Sequence, residues 1–350
     1  MKLAKQTRTR LWMGFVVGLV VLAILAIAAY AYWLSAPSAA THAAANEPLQ
    51  CPDTSVPSPH PGMVWVPPGA FVLGDTVYKE ELPLTRTTVG GFWMDRTEVT
   101  NAQFAQFVQA TGYVTVAERP VDPLTHPGLP PELQQPGAVV FINPTELAQG
   151  GDIRQWWQYV AGANWRHPGG PKTSIAAHDA FPVVNVTIED ANAYAKWAGH
   201  TLPTEAQWEW AALGGKTPAN GDISQPAEAN TWQGLFPVSN KATDGFAGLA
   251  PTGCFAANGY GLKDMIGNAW ELTADRYTES HSAQDNIPPD QPPLAQRPGT
   301  PLGRHVIKGG SFLCAPNYCQ RYRAGARQPQ EDDLATSHLG FRTLLHAPGP

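Results

Sequence analysis

An α+β domain with an unusually high share of loop is the fold class this sequence predicts, on three observations. Glycine and proline number 33 and 34 in 350 residues, nearly one residue in five. That excludes coiled coils and helical bundles, which need Glu, Lys and Ala-Leu periodicity instead. Only three windows combine helical spacing with start and stop signals. Finally, 12 Trp, 12 Phe and 10 Tyr supply ample apolar surface for a packed core, which excludes a disordered chain. The formal net charge is −6 and basic clustering is confined to the N-terminus, so no nucleic-acid partner is expected.

Residues 1–10 form a basic segment with Lys2, Lys5, Arg8 and Arg10. Residues 11–34 then run without a charge, long enough to span a bilayer as one helix. The next basic side chain is Lys79, an asymmetry that predicts a single-pass membrane protein with a cytoplasmic N-terminus and an extracytoplasmic domain. A cleaved signal sequence is the alternative, giving a secreted domain, because Ala36 to Ala45 offers small-residue cleavage sites. Residues 35–61, rich in Ala, Ser, Pro and Thr, read as a flexible tether. Residues 62–346 show no repeat and no second linker, and are expected to form one domain.

Within that domain, Met63-Val-Trp-Val-Pro-Pro-Gly-Ala-Phe-Val-Leu-Gly74 reads as strands broken by turn residues. Thr97 to Gly112 reads as a helix capped by Thr100, with Phe104, Phe107 and Val108 on one face. Ile188 to Gly199 reads similarly, with Ala191, Tyr194, Ala195 and Ala198 inward. A third helix is expected from Thr204, whose Thr204-Glu-Ala-Gln207 is a capping-box pattern, to Gly214-Gly215. The remaining loops are long enough to need fastening by disulfides or calcium.

Four cysteines, Cys51, Cys254, Cys314 and Cys319, admit three full disulfide pairings. Cys314 and Cys319 would diverge on a regular helix or strand, but Pro316-Asn317 permits a bend that lets the sulfurs meet. Two close thiolates without another soft donor suit a two-coordinate soft ion, Cu(I), better than tetrahedral zinc. A structural disulfide is the other reading of the pair. Cys51 and Cys254 are then left to join the tether to the domain.

The stretch Lys308-Gly-Gly-Ser-Phe-Leu-Cys-Ala-Pro-Asn-Tyr-Cys-Gln-Arg-Tyr-Arg-Ala-Gly-Ala-Arg327, with Ser337-His-Leu-Gly-Phe-Arg342, resembles the active-site region of formylglycine-generating enzymes, or sulfatase-modifying factors. Met94-Asp-Arg-Thr-Glu-Val-Thr-Asn101, Gly162-Ala-Asn-Trp-Arg-His-Pro168, Leu202-Pro-Thr-Glu-Ala-Gln-Trp-Glu209 and Asn258-Gly-Tyr-Gly-Leu-Lys-Asp-Met-Ile-Gly-Asn-Ala-Trp-Glu271 look like further family signatures, in family order. The resemblance covers about residues 62–345 and implies the composite C-type-lectin-like fold of that family.

It also implies a chemistry: oxidation by O₂ of a cysteine in the Cys-x-Pro-x-Arg segment of an unfolded sulfatase to Cα-formylglycine, with a thiol reductant. By resemblance Cys314 and Cys319 hold Cu(I) as a bis-thiolate, Cys319 more tightly and Cys314 more exposed, and Ser311 lies near the O₂ and substrate-sulfur site. Two calcium sites are implied, one from Asn230, Thr231, Asp244 and Phe246, the other from Asp264, Gly267, Ala269 and Glu271. Their carboxylate and carbonyl oxygens are what a hard cation needs. Trp156, Trp157 and Trp165 line a peptide groove or belong to the core. Arg321, Arg323, Arg327 and Arg342 read as ion-pair partners outside catalysis. Departures from the family pattern fall at Asn185, Thr187-Ile188, His200-Thr201 and Ala324. The alternatives are a non-catalytic binding module on the same scaffold, with Cys314–Cys319 a plain disulfide, and an oxidase acting on another protein cysteine.

Overall fold

The computed structural model describes residue 51 and residues 57–123, 125–144, 156–281 and 303–346, all within a compact unit spanning Pro48–Pro350. The basic segment 1–10, the anchor expected over 11–34 and most of the tether over 35–61 lie outside the described residues. Among the described residues no helix is long and apolar enough to cross a membrane. The longest α-helices among the described residues have 11 residues, about 17 Å at 1.5 Å per residue, against a hydrocarbon core of about 30 Å. The expected single-pass placement and its preceding membrane helix are corrected accordingly.

The three helices form where the start and stop signals place them. They are α1 (Asn101–Thr111), α2 (Ile188–Ala198) and α3 (Glu205–Leu213). Thr100, Thr187 and Thr204 each accept the third helical N–H, and the residue at that position reaches back to the cap in return. Such reciprocal caps satisfy two otherwise orphaned donors at each helix start. Gly112, Gly199 and Gly214 end the helices at φ 68°, 74° and 58°, the left-handed geometry that a Cβ disfavours.

The strands are short and scattered, as the glycine and proline content implies. A three-stranded antiparallel sheet has the order β1 (Met63–Val66), β4 (Phe92–Asp95), β13 (Leu344–Leu345). A four-stranded sheet runs β11 (Gln328–Glu331), β10 (Arg304–Lys308), β9 (Trp270–Arg276), β12 (Leu339–Gly340), with only the β12–β9 pair parallel. Three hairpins complete the set: β2 (Gly69–Leu73) with β3 (Thr85–Val89), β5 (Gly137–Phe141) with β6 (Trp157–Ala161), and β7 (Gly234–Leu235) with β8 (Ser239–Asn240). The expected strands beginning at Met63 are β1 and β2.

Among the described residues four apolar clusters hold these pieces, and the two largest carry the helices. One packs Phe104 and Phe107 of α1 and Tyr194 of α2 against Trp165, Trp270, Phe341 and both Cys314 and Cys319. The other packs Trp208 and Ala211 of α3 against Val66, Phe71, Phe92 and Leu344. Cys51 and Cys254 are joined as a disulfide, which fastens the start of the described chain across 203 residues of sequence.

Between the clusters lies a buried ionic lattice. Lys308, at the end of β10, donates to Glu209 Oε2 at 2.8 Å and lies 3.5 Å from Glu205 Oε1. Arg327 and His281 also reach Glu205, at 2.9 and 3.3 Å. Burial pushes the Glu205 carboxyl up, but Lys308, His281 and Arg327 hold it below its ordinary range. Replacing Lys308 by Met leaves the buried Glu209 carboxylate without its cation and is expected to cost about 3–5 kcal/mol in urea unfolding. Arg119→Ala, which breaks a solvated pair with Glu189, should cost under about 1 kcal/mol. Equal losses for the two would contradict this ranking.

Candidate active site and cation sites

Ser311 and the two cysteines are delivered by a turn that begins directly after Lys308. Gly309 and Gly310 have φ of 95° and 75°. A Cβ on Gly309 would sit 2.9 Å from the Met265 carbonyl and 3.0 Å from the Trp208 ring, so that turn admits only glycine. The Cys314 N–H donates to the Ser311 carbonyl at 2.9 Å, and the Tyr318 and Cys319 N–H groups both donate to the Ala315 carbonyl at 3.1 Å. This winding supplies the bend expected at Pro316-Asn317. The Cα atoms of Cys314 and Cys319 lie 4.5 Å apart and their sulfurs are joined as a disulfide. Both side chains are buried, Cys314 at 1% exposure and Cys319 at 8%, so the expected order of exposure is reversed. The Trp232 N–H pins the Cys314 carbonyl at 3.0 Å and holds that residue under the neighbouring core.

The pair opens into a cavity of about 510 Å³, lined also by Ser311, Trp157, Tyr318, His338 and Arg321. Tyr318 stacks on Phe236 at 4.1 Å, and the Asn317 side-chain amide clamps Phe236, accepting its N–H at 3.2 Å and donating to its carbonyl at 2.9 Å. The hairpin β7–β8 is thereby fixed to the cysteine turn. Trp156 packs edge-on against Phe236 and Tyr318, and Trp157 donates to the Tyr318 hydroxyl at 3.3 Å. Trp157 therefore belongs to the cavity wall, Trp156 packs behind it on the Phe236 and Tyr318 rings, and Trp165 belongs to the core.

The four arginines are ion-pair partners. Arg321 meets Glu80 at 2.6 Å, Arg323 meets Asp75 and Glu81, Arg327 meets Glu205, and Arg342 is bidentate to Glu271 at 2.7 Å through each nitrogen. The departures from the family pattern have structural work. Asn185, buried at φ 58°, donates to the Asn164 and Pro168 carbonyls. Thr187 caps α2, and His200 bonds Thr343 at 2.9 Å.

The first expected cation set is drawn together around Asp244, whose carboxylate accepts from Thr231 N–H at 3.3 Å and Phe246 N–H at 3.0 Å. Asn230 donates to the Gly248 carbonyl at 2.9 Å and to Asn268 at 3.0 Å. In the second set, Gly267 N–H donates to the Gly309 carbonyl at 2.9 Å, next to the cysteine turn. Ala269 is buried beside β9, whose Glu271 holds Arg342 and accepts from Trp208 at 2.8 Å. Asp264 keeps one buried carboxylate oxygen, Oδ1, without a hydrogen-bond partner.

Sequence reasoning missed two residues here. Glu98 is buried and bonded to Asn268 at 2.9 Å through one oxygen, while its other oxygen has no partner. Burial and the nearby Asp264 and Glu271 charges push its carboxyl well up. Its signal was its place in the Met94–Asn101 signature. Glu98 and Asp264 thus each keep one buried oxygen without a partner, an arrangement a hard cation would satisfy. Among the described residues, no group of three or more His, Cys, Asp or Glu side chains converges as a metal site, so a cation at either set would need carbonyl and amide oxygens as well. The second missed residue is His338, whose Nδ1 lies 3.2 Å from Ser311 Oγ and whose ring packs on Trp157 at 4.6 Å.

Comparison with known proteins follows the same residues. Residues 50–347 match the family described as "FGE-sulfatase: Sulfatase-modifying factor enzyme 1-like domain". The chain is 49% identical over 295 residues to the "Formylglycine-generating enzyme" of Mycobacterium tuberculosis, covering 81% of this chain and 97% of that one. It is 34% identical over 315 residues to the "Inactive C-alpha-formylglycine-generating enzyme 2" of Mus musculus, covering 86% and 92%. The solved structure of PvdO from Pseudomonas aeruginosa has the same fold, with a TM-score of 0.53 at 21% identity over 81% of this chain and 93% of that one.

Burial lowers the His338 imidazole from its ordinary 6.5 to about 3. Its contribution to stability is therefore complete above about pH 6.5 and lost as pH falls toward 3, because the unfolded chain binds the extra proton first. An NMR titration should find this ring uncharged from pH 8 to pH 5. A midpoint near 6.5 would contradict the placement.

Proposed function

The chain belongs to the family of sulfatase-modifying factor enzyme 1-like domains, and from that premise we propose that it is an O₂-dependent oxidase converting a cysteine of an unfolded sulfatase to Cα-formylglycine, thereby activating it. The observation that carries the reading is the meeting of Cys314 and Cys319 at the wall of an open cavity, beside Ser311. A purely structural disulfide has no need of such an opening. The aromatic wall of Trp157 and Tyr318, backed by Trp156, suits an extended peptide, and Cys-x-Pro-x-Arg is the proposed substrate segment.

The electron balance sets the co-reactants. Turning a CH₂SH side chain into an aldehyde with release of H₂S withdraws two electrons and consumes one water. Reducing O₂ to two waters takes four, so a thiol reductant supplies the other two and leaves as disulfide. In the reduced state the two neighbouring thiolates form a soft donor pair that would suit Cu(I), which when bound would supply electrons to O₂. The chain's own residues hold that pair at a fixed spacing, wall it with aromatic rings and place Ser311 beside it.

Calcium is proposed for the two loop sites. Asn230, Thr231, Asp244 and Phe246 would hold one ion, and Asp264, Gly267, Ala269 and Glu271 the other, with Glu98 as an added donor. The orphaned oxygens of Glu98 and Asp264 support the second. Calcium at a hundredfold excess over Kd stabilises the fold by about 2.7 kcal/mol per site. Chelation should therefore lower the unfolding midpoint and calcium should restore it; an unchanged midpoint would contradict these sites.

The function is tested by incubating the reduced, Cu(I)-loaded full chain with a Cys-x-Pro-x-Arg peptide in air. Mass spectrometry should show the peptide thiol replaced by an aldehyde, and Cys319→Ala and Cys314→Ala should fall to background. Copper binding without peptide change would point to another protein cysteine as substrate. Neither binding nor turnover would support the binding-module alternative.

A further inference from the structure

Ser311 has a hydroxyl whose orientation is decided by its neighbours. The side chain is fully buried, so its proton needs an acceptor. The oxygen already accepts the Leu313 N–H at 3.3 Å, and the other side-chain contact in reach is Nδ1 of His338 at 3.2 Å. The imidazole packs on the Trp157 ring at 4.6 Å, and the residue's backbone is anchored where its carbonyl accepts the Trp270 N–H at 2.8 Å. Both His338 and Ser311 line the cavity that holds Cys314 and Cys319.

We propose that His338 is a positioning residue for the oxidation: its Nδ1 accepts the Ser311 hydroxyl proton, so that Ser311 meets an incoming thiol with an oxygen lone pair rather than with a proton. The inference rests on the oxidase reading and specifies how the site receives its thiol. An S–H donor finds an acceptor there, and its sulfur is set toward the cysteine pair. His338 does not act as the base that removes the thiol proton. A buried imidazolium with no carboxylate in hydrogen-bond contact is costly, and an ordinary thiol ionises near 8.5, far above where this ring takes up a proton. The imidazole therefore orients the hydroxyl and keeps its own charge at zero throughout.

The test is a double-mutant cycle in the full chain with the cysteine peptide, read as kcat and KM separately, together with ¹⁵N NMR of the histidine ring. His338→Phe keeps the ring on Trp157 but removes the acceptor, and is expected to lower kcat by up to about 100-fold. His338→Asn, whose amide oxygen accepts, should recover most of that loss. Ser311→Ala should lose a similar factor, and the Ser311→Ala/His338→Phe pair no more than either alone, because one acts through the other. In the wild type the NMR shifts should report a neutral ring protonated at Nε2, with the Nδ1 signal moving in Ser311→Ala. Wild-type rates in His338→Phe, multiplying losses in the double variant, or a ring protonated at Nδ1 would each overturn the proposal. An inactive wild type would overturn the oxidase reading instead, and the NMR arm would still decide the His338–Ser311 contact.

Discussion

Lys308 is the side chain on which the arrangement turns. A buried ammonium costs several kcal/mol unless it is paired, and Glu205 and Glu209, one turn apart on α3, supply the pairing from a single helix face. That interaction locks the end of β10 against α3, and the next three residues are Gly309, Gly310 and Ser311. Arg327, eight residues beyond Cys319, returns to the same Glu205. The cysteine turn is thus a loop whose two ends are tied to one carboxylate. Trp208, on the same helix, passes the constraint on by donating to Glu271, which in turn holds Arg342. One ionic lattice therefore sets the position of the cysteine turn and of the second proposed cation site.

A fold with so few regular elements needs such fastening. Caps hold the helix ends, the Cys51–Cys254 disulfide ties positions 203 residues apart, and Asn317 clamps the β7–β8 hairpin beside the cysteines. The proposed calcium ions would add the same kind of constraint where buried carboxylates lack partners. What the scaffold leaves open is the cavity over Cys314 and Cys319. The proposed chemistry needs that combination of a rigid dithiol and an accessible wall, because a substrate sulfur must reach the pair while bulk water does not.

Much of this was legible in the chain because the signals are local. The Thr caps and terminal glycines of the three helices act within a few residues, so α1 and α3 begin where Thr100 and Thr204 predict and α2 fills the window expected from Ile188 to Gly199. The bend between Cys314 and Cys319 was legible for the same reason. Strand topology was not, since β12 reaches β9 across almost seventy residues by pairing that no local pattern encodes. Glu98 and His338 stayed hidden because their importance comes from what folds against them: an orphaned oxygen and a neighbouring hydroxyl exist only in three dimensions. The expectation of a membrane anchor came from hydropathy and charge bias alone, and no helix among the described residues has the length and apolarity to cross a membrane.

The account stands or falls on whether the cysteine pair works as two thiolates rather than as a structural bridge. The most direct measurement is a competition titration of the reduced full chain with Cu(I) and a chromogenic chelator. The account predicts one tightly held Cu(I) per chain, lost in Cys314→Ser and in Cys319→Ser while the fold is retained. Copper binding no stronger in the wild type than in those variants would contradict it.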